Sequence, residues 1–221
     1  MTIQTIYQEL DNKCTDAMAA INSVNNSHYL SSDELKTIRD LVVKQAFVSV
    51  FTEWEHFLEN STAAYALGEL SIAGHAPVKY ISPIDVDHVN QLAKGASTYP
   101  DWSKTEVVLN LERAFFKDGE PFTSAIQGFA SKDKDMKKVR NVIVHNSIKS
   151  RDEFDSLVRT ALRASAVGIS PSEFLLSRKT RRDPCFYEMY ITHIRNAATL
   201  ISQYSPPEAA ADISTDEHIG D

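Results

Sequence analysis

Residues 32–67 constrain the fold more than any other stretch. Ser31-x-x-Glu34 has the form of a capping box, which satisfies two otherwise orphaned backbone donors at a helix start. Behind it Leu35, Ile38, Val42, Phe47, Phe51, Trp54 and Leu58 give one long helix a wide apolar face, and Gly68 marks its stop. A face that wide has to be covered by other elements.

The rest of the chain offers helices to cover it. Ile3, Tyr7, Leu10, Cys14, Ala17, Ile21 and Val24 step by four and three, which predicts a helix over 3–24 with a heptad seam inside an N-terminal segment 1–26. Such a seam serves a dimer or packs within the chain. Ser82-Pro83 sets a cap before an N1 proline and predicts a helix over 83–94, stopped by Gly95. Ser103-x-x-Glu106 predicts a helix to about 117, broken by Gly119 and Pro121, with a short helix over 122–129. Met136, Val139, Val142, Ile143 and Val144 make residues 132–146 apolar on one side. Ser150-x-x-Glu153 opens a helix over 151–166, and Asp183-Pro184 opens the last one, over 184–204. Residues 71–82 and 168–171 read as loops, and the acidic stretch 206–221 as a disordered tail. No β-run insists on a sheet. The expected architecture is an all-α bundle with long N-terminal helices, a single domain over 1–205 followed by the tail.

Of the 221 residues, 43% are hydrophobic and 24% charged, enough for an ordinary core. The net charge of −7 argues against a broad DNA-coating surface. The charge is uneven, however. Lys132, Lys134, Lys137, Lys138, Arg140, Lys149 and Arg151 gather in one region, and Arg178, Lys179, Arg181 and Arg182 in another. Cys14 and Cys185 lie far apart and read as reduced, buried thiols. No leader and no bilayer-length apolar run is seen, so a cytoplasmic protein without a membrane partner is expected.

The first basic region contains Arg140-Asn141-Val142-Ile143-Val144-His145. The three apolar residues read as core, and the polar ones are not needed for packing. Arginine brings a permanent charge with a planar donor fork suited to phosphate, and histidine a proton that moves near neutral pH. Five helical residues advance about 500°, which leaves Arg140 and His145 roughly 140° apart. They meet if the long guanidinium arm reaches round, or if His145 sits at a frayed helix end before Asn146-Ser147. Asn141 and His145, four apart, share a face.

This octapeptide, Arg140 to Ser147, resembles the R-x4-6-H signature of the HEPN superfamily, and within it the subgroup named for its RiboL-PSP association. The aromatic stretch from Ala46 to Glu59 is similar to that subgroup's N-terminal helix, and the terminal helix with Tyr190, Arg195, Ala197 and Ala198 fits its layout. The resemblance covers roughly residues 35–204 and implies a HEPN-like helical bundle acting as a metal-independent endoribonuclease. His145 would be the general acid or base, Arg140 would stabilise the phosphate, and Asn141 would orient phosphate or imidazole. The RNA brings its own nucleophile, the 2′-hydroxyl, so no cofactor, metal or serine nucleophile is called for. The resemblance further implies a homodimer with both motifs facing one cleft, with Lys134, Lys137, Lys138 and Lys149 lining it for RNA. It adds a setting in defence, toxin or stress response, with an antitoxin or regulatory protein as a further partner. In HEPN toxins paired with nucleotidyltransferases a tyrosine lies two residues after the histidine; here Ser147 stands there, which speaks against control by modification at that position.

Glu55 and Ser147 form a second rank of candidates. Glu55, beside Trp54, is placed to orient His145 or receive a proton, or else is a solvated charge. Ser147 and Ser49 lack any nucleophile elbow. Two other functions compete with the ribonuclease: a non-catalytic HEPN-like module that binds RNA, nucleotide or a protein partner, and a coiled-coil assembly protein built on the 3–24 seam.

Overall fold

Helix α2 (Ser32–Leu67) is the axis of an all-α bundle. The computed structural model describes residues 1–25, 32–94, 100–128, 130–162 and 168–206. Gly95, the end of the helix begun near 150, the Ser31 cap and the tail beyond Pro206 lie outside them. Burial along α2 grows with the chain. Leu35 and Val42 are half-buried and Ile38 is exposed, whereas Val43, Phe47, Val50, Phe51, Trp54 and Phe57 are inside. From Ser61 to Ala66 six consecutive residues are buried. The end is a Schellman turn. Gly68, at φ +101°, donates to the Tyr65 carbonyl and Glu69 to that of Ala64, while Lys79 Nζ reaches the Ala66 carbonyl at 2.9 Å.

Helix α1 (Ile3–Asn25) lies along α2 and against the last helix of the bundle, Phe186–Ser202. Ile3, Leu10, Cys14, Ala17 and Ile21 are buried there, so the heptad seam is used within the chain. Arg195 fixes the arrangement, pairing with Asp11 at 2.8 Å and donating to Thr15 Oγ1 at 2.6 Å. Both cysteines are free and buried, and burial pushes the Cys14 thiol up to about 11.

Several helices begin elsewhere than their capping residues suggest, because another side chain competes for the cap. Helix α3 (Val86–Lys94) starts three residues after Pro83, since Asp85 Oδ1 accepts the His88 N–H at 2.8 Å. Helix α4 (Thr105–Phe115) has no side-chain cap: the Ser103 hydroxyl donates to Asp101 instead. After a 3₁₀ turn, Lys117–Gly119, come α5 (Phe122–Gln127) and α6 (Ala130–Val144). Helix α7 (Ile148–Leu162) is capped by Ser147, whose Oγ accepts the Ser150 N–H at 3.2 Å; Ser150 is therefore a buried residue inside the helix and not its cap. Helix α8 (Pro171–Leu176), in a stretch read as loop and its sequel, carries a complete Ser170–Glu173 capping box. Helix α9 (Phe186–Ser202) starts two residues after Pro184, with Cys185 as cap and Glu188 reaching back. Among the described residues the β pairing amounts to an isolated Lys79–Phe116 bridge, and no helix is long and apolar enough to cross a membrane.

Two buried carboxyls cross-link this bundle. Asp133 on α6 accepts from the Thr105 hydroxyl of α4 and from the Trp54 indole of α2, and burial raises its pKa. Glu112 on α4 is fully buried against Thr62 of α2, and desolvation raises its pKa well above the usual range. The Thr62 hydroxyl also lies 2.7 Å from the Leu58 carbonyl. One hydroxyl proton cannot serve both acceptors, so a protonated Glu112 donating to Thr62 satisfies the set.

Glu112 thus takes up a proton on folding, whereas in the unfolded chain it ionises near pH 4.3. Its contribution is most favourable below that value and declines as pH rises toward the raised folded pKa. Urea unfolding of Glu112→Gln should show a flatter stability profile over about pH 5–8 and a gain of about 1–3 kcal/mol at neutral pH. Profiles that run parallel for variant and wild type would mean that Glu112 is ionised in the fold.

Candidate functional site

Helix α6 brings the motif to the surface on a register set by its buried side. Asp133, Met136, Val139 and Val142 face inward. Arg140 lies two turns after Asp133 and therefore on nearly the same side, toward α2. It is half-buried, and its Nη1 stands 3.3 Å from Asn141 Oδ1 and 3.2 Å from His145 Nε2. The guanidinium arm thus closes the angle that a regular helix leaves between Arg140 and His145. A guanidinium only donates, so Nε2 is the acceptor and the ring proton sits on Nδ1 in this arrangement.

His145 occupies the elbow between α6 and α7. Its N–H still bonds the Asn141 carbonyl at 2.9 Å, although Val144 is the last residue of α6. Asn146 then turns the chain at φ +45°, the left-handed region, and its Oδ1 accepts from Arg151 Nε at 2.8 Å. Ser147 caps α7, so its oxygen is engaged in holding the backbone. The imidazole is exposed, with Val144 (49% exposed) and Ile148 (81%) on either side of the elbow.

An open groove of about 530 Å³ runs past Asn141, His145 and Ser147 between Lys134, Lys137, Lys138 and Lys149. All the lysines expected at the site are therefore present on one surface. Each also has an acid beside it: Lys134–Glu106 at 3.3 Å, Lys137–Asp101 at 3.3 Å, Lys138–Asp135 at 3.9 Å and Lys149–Glu153 at 3.9 Å. Surface pairs of this kind are worth about 0–1 kcal/mol, so a phosphate can compete for the lysines, but the resting groove is less positive than the sequence suggests.

On its other flank Arg140 borders a second pocket, about 380 Å³, with Glu55, His56, Glu59, Pro100, Asp101 and Trp102. Burial raises the pKa of the Glu55 carboxyl, and the charge of Arg140 opposes that rise. Glu55 is thus associated with Arg140 and not with the His145 groove. Burial also opposes ionisation of Asp101, but bonds from Ser103 and Lys104 and the charge of Lys137 outweigh it and hold the carboxyl at about 2. Asp101, Trp102 and Asp133 were not among the expected site residues. Asp133 is detectable in hindsight as an acid within a lysine run; Asp101 and Trp102 sit in a short loop with no helical period to flag them. Among the described residues no cluster of three or more His, Cys, Asp or Glu is arranged to hold a metal ion. In Arg195-Asn196, which echoes Arg140-Asn141, the arginine is spent on tying α9 to α1.

The elbow depends on Asn146. Asn146→Gly should retain the turn, whereas Asn146→Ala should cost about 1–2 kcal/mol, from the left-handed backbone and the lost Arg151 bond. Denaturant unfolding measures both, and an alanine variant as stable as the glycine one would contradict the left-handed assignment.

Compared with family models, with curated proteins and with solved structures, the chain returns no significant match.

Proposed function

We propose that the chain is a metal-independent endoribonuclease of the kind its HEPN resemblance implies. The observation that supports this reading most is the 3.2 Å approach of Arg140 Nη1 to His145 Nε2 beside a lysine-lined groove. In the proposed reaction a phosphate entering the groove draws the guanidinium from Nε2 to a non-bridging oxygen. The freed Nε2 takes the proton of the 2′-hydroxyl. The 2′-oxygen bonds to phosphorus as the bond to the 5′-oxygen breaks, leaving a 2′,3′-cyclic phosphate and a 5′-hydroxyl. Asn141, whose Oδ1 accepts from Arg140, keeps the guanidinium oriented toward the phosphate. Fixed donors aimed at developing charge commonly supply the largest catalytic term.

The leaving 5′-oxygen needs a proton, and one imidazole that has just accepted a proton at Nε2 has to move to deliver it. A second copy of the chain brings a second His145 and removes that need. Val144 and Ile148 are exposed apolar residues flanking His145, so a two-fold contact over this elbow buries them and sets two motifs side by side. The resemblance adds a cytoplasmic role in defence, toxin action or stress, under an antitoxin or regulatory protein.

His145→Ala and Arg140→Ala should each lower single-stranded RNA cleavage by about 10²–10⁴-fold, with the cyclic phosphate product disappearing alongside. Cleavage unchanged in both variants overturns the site, and a wild type that leaves RNA intact favours a non-catalytic binding module. Light scattering should give a dimer mass for the wild type and a monomer mass for Ile148→Glu; a monomeric wild type removes the two-chain site.

A further inference from the structure

Arg140 separates two surfaces of opposite character. On one side lie the lysines and His145; on the other lies the pocket with Glu55, Glu59 and Asp101. A polyanion's phosphates are drawn to the first and repelled by the second. What enters the second is not an anion and brings donors to its carboxylates. The pocket also holds two buried donors without a partner, the Trp102 indole Nε1 and Arg140 Nε, and Trp102 is only 6% exposed. Buried donors are nearly always paired, so two beside one pocket mark a place where a bound acceptor gains a partner. Asp101 is committed to Ser103, Lys104 and Lys137, and of the two glutamates on the pocket wall Glu55 is the one set against the charge of Arg140, which makes it the acceptor in this reading.

We infer that this pocket is a guanine-reading subsite for single-stranded RNA, an assignment that rests on the proposed ribonuclease. Guanine places two adjacent donors, N1–H and N2–H, opposite the two oxygens of one carboxylate, with O6 beside them to accept from an indole or guanidinium N–H. Adenine and cytosine offer one amino donor next to a ring-nitrogen lone pair, which would face the second carboxylate oxygen. Uracil flanks its single N–H with two carbonyls. Each wrong base therefore meets Glu55 with a repulsive contact, and guanine meets it with none. With the base in this pocket and Arg140 at its edge, the adjoining phosphate falls on the His145 side.

The chain has two tryptophans, so an amide–nitrogen correlation spectrum shows two indole cross-peaks, and Trp102→Phe identifies one of them. Guanosine 3′-monophosphate should shift the Trp102 peak and bind at least tenfold more tightly in calorimetry than the adenosine, cytidine and uridine monophosphates. The uncleavable dinucleotide 2′-deoxy-GpU should do the same against its 2′-deoxy-ApU counterpart. Glu55→Gln should abolish the preference in both series, and this variant carries the test even if Trp102→Phe does not fold. Equal binding of the four nucleotides, or a preference that survives Glu55→Gln, overturns the inference. Preference for the mononucleotide without the dinucleotide overturns it too, since the pocket would then serve a free nucleotide. RNA cleaved equally after all four bases refutes the guanine assignment and leaves the ribonuclease standing; guanine binding by a chain that cleaves no RNA does the reverse.

Discussion

The buried carboxyl of Asp133 is the constraint on which the geometry of this molecule depends. It is bonded at once to the Trp54 indole on α2 and the Thr105 hydroxyl on α4. An acid so placed cannot slide along the bundle without leaving polar atoms unpaired in a low-dielectric interior, where the penalty is greatest. The helix that carries it is fixed in both rotation and height. Everything of chemical interest then follows at helical intervals from that point: Lys137 one turn on, Arg140 two turns on, Asn141 beside it, and His145 just past the last turn.

This makes the site a product of the core more than of its own loop. Arg140 is half-buried because the face it shares with Asp133 is the face turned to α2. Its guanidinium is thereby confined between Glu55 on one flank and Asn141 and His145 on the other. The elbow adds the rest: a left-handed Asn146, tied to Arg151, turns the chain one residue after the histidine, and Ser147 starts the next helix immediately.

Much of the helical layout could be read from the chain because apolar period and helix breakers act locally. The long helix ends at Leu67, next to the glycine that predicts it, and the heptad stretch is a helix from Ile3. Helix starts were less legible, since a capping pattern names a candidate and not its competitors. Ser103 loses its role to the pull of Asp101, and Ser150 to Ser147 three residues earlier. Helix α8, six residues long, is too short to show a period, although Ser170-x-x-Glu173 carries a capping signal. At the candidate site the sequence left proximity open. Helical spacing set Arg140 and His145 apart, and only the reach of the arginine brings their nitrogens to 3.2 Å. The acids beside Lys134 and Lys137 lie 28 and 36 residues away in sequence, beyond the reach of any count of neighbouring charges.

Those acid partners give the groove a property that its lysines alone would not have. A bare lysine cluster meeting a polyanion displaces the small cations condensed on it, and affinity then falls steeply with added salt. Here Lys134, Lys137, Lys138 and Lys149 each hold a carboxylate belonging to the protein itself. A phosphate that takes one of these lysines leaves a carboxylate behind, and that carboxylate recruits a cation from solution. Part of the entropy released from the polyanion is returned at the protein surface. The groove is therefore built like an ion exchanger with its counterions in place, and a phosphate chain bound there would be held with an affinity that varies less with ionic strength than four bare lysines would dictate.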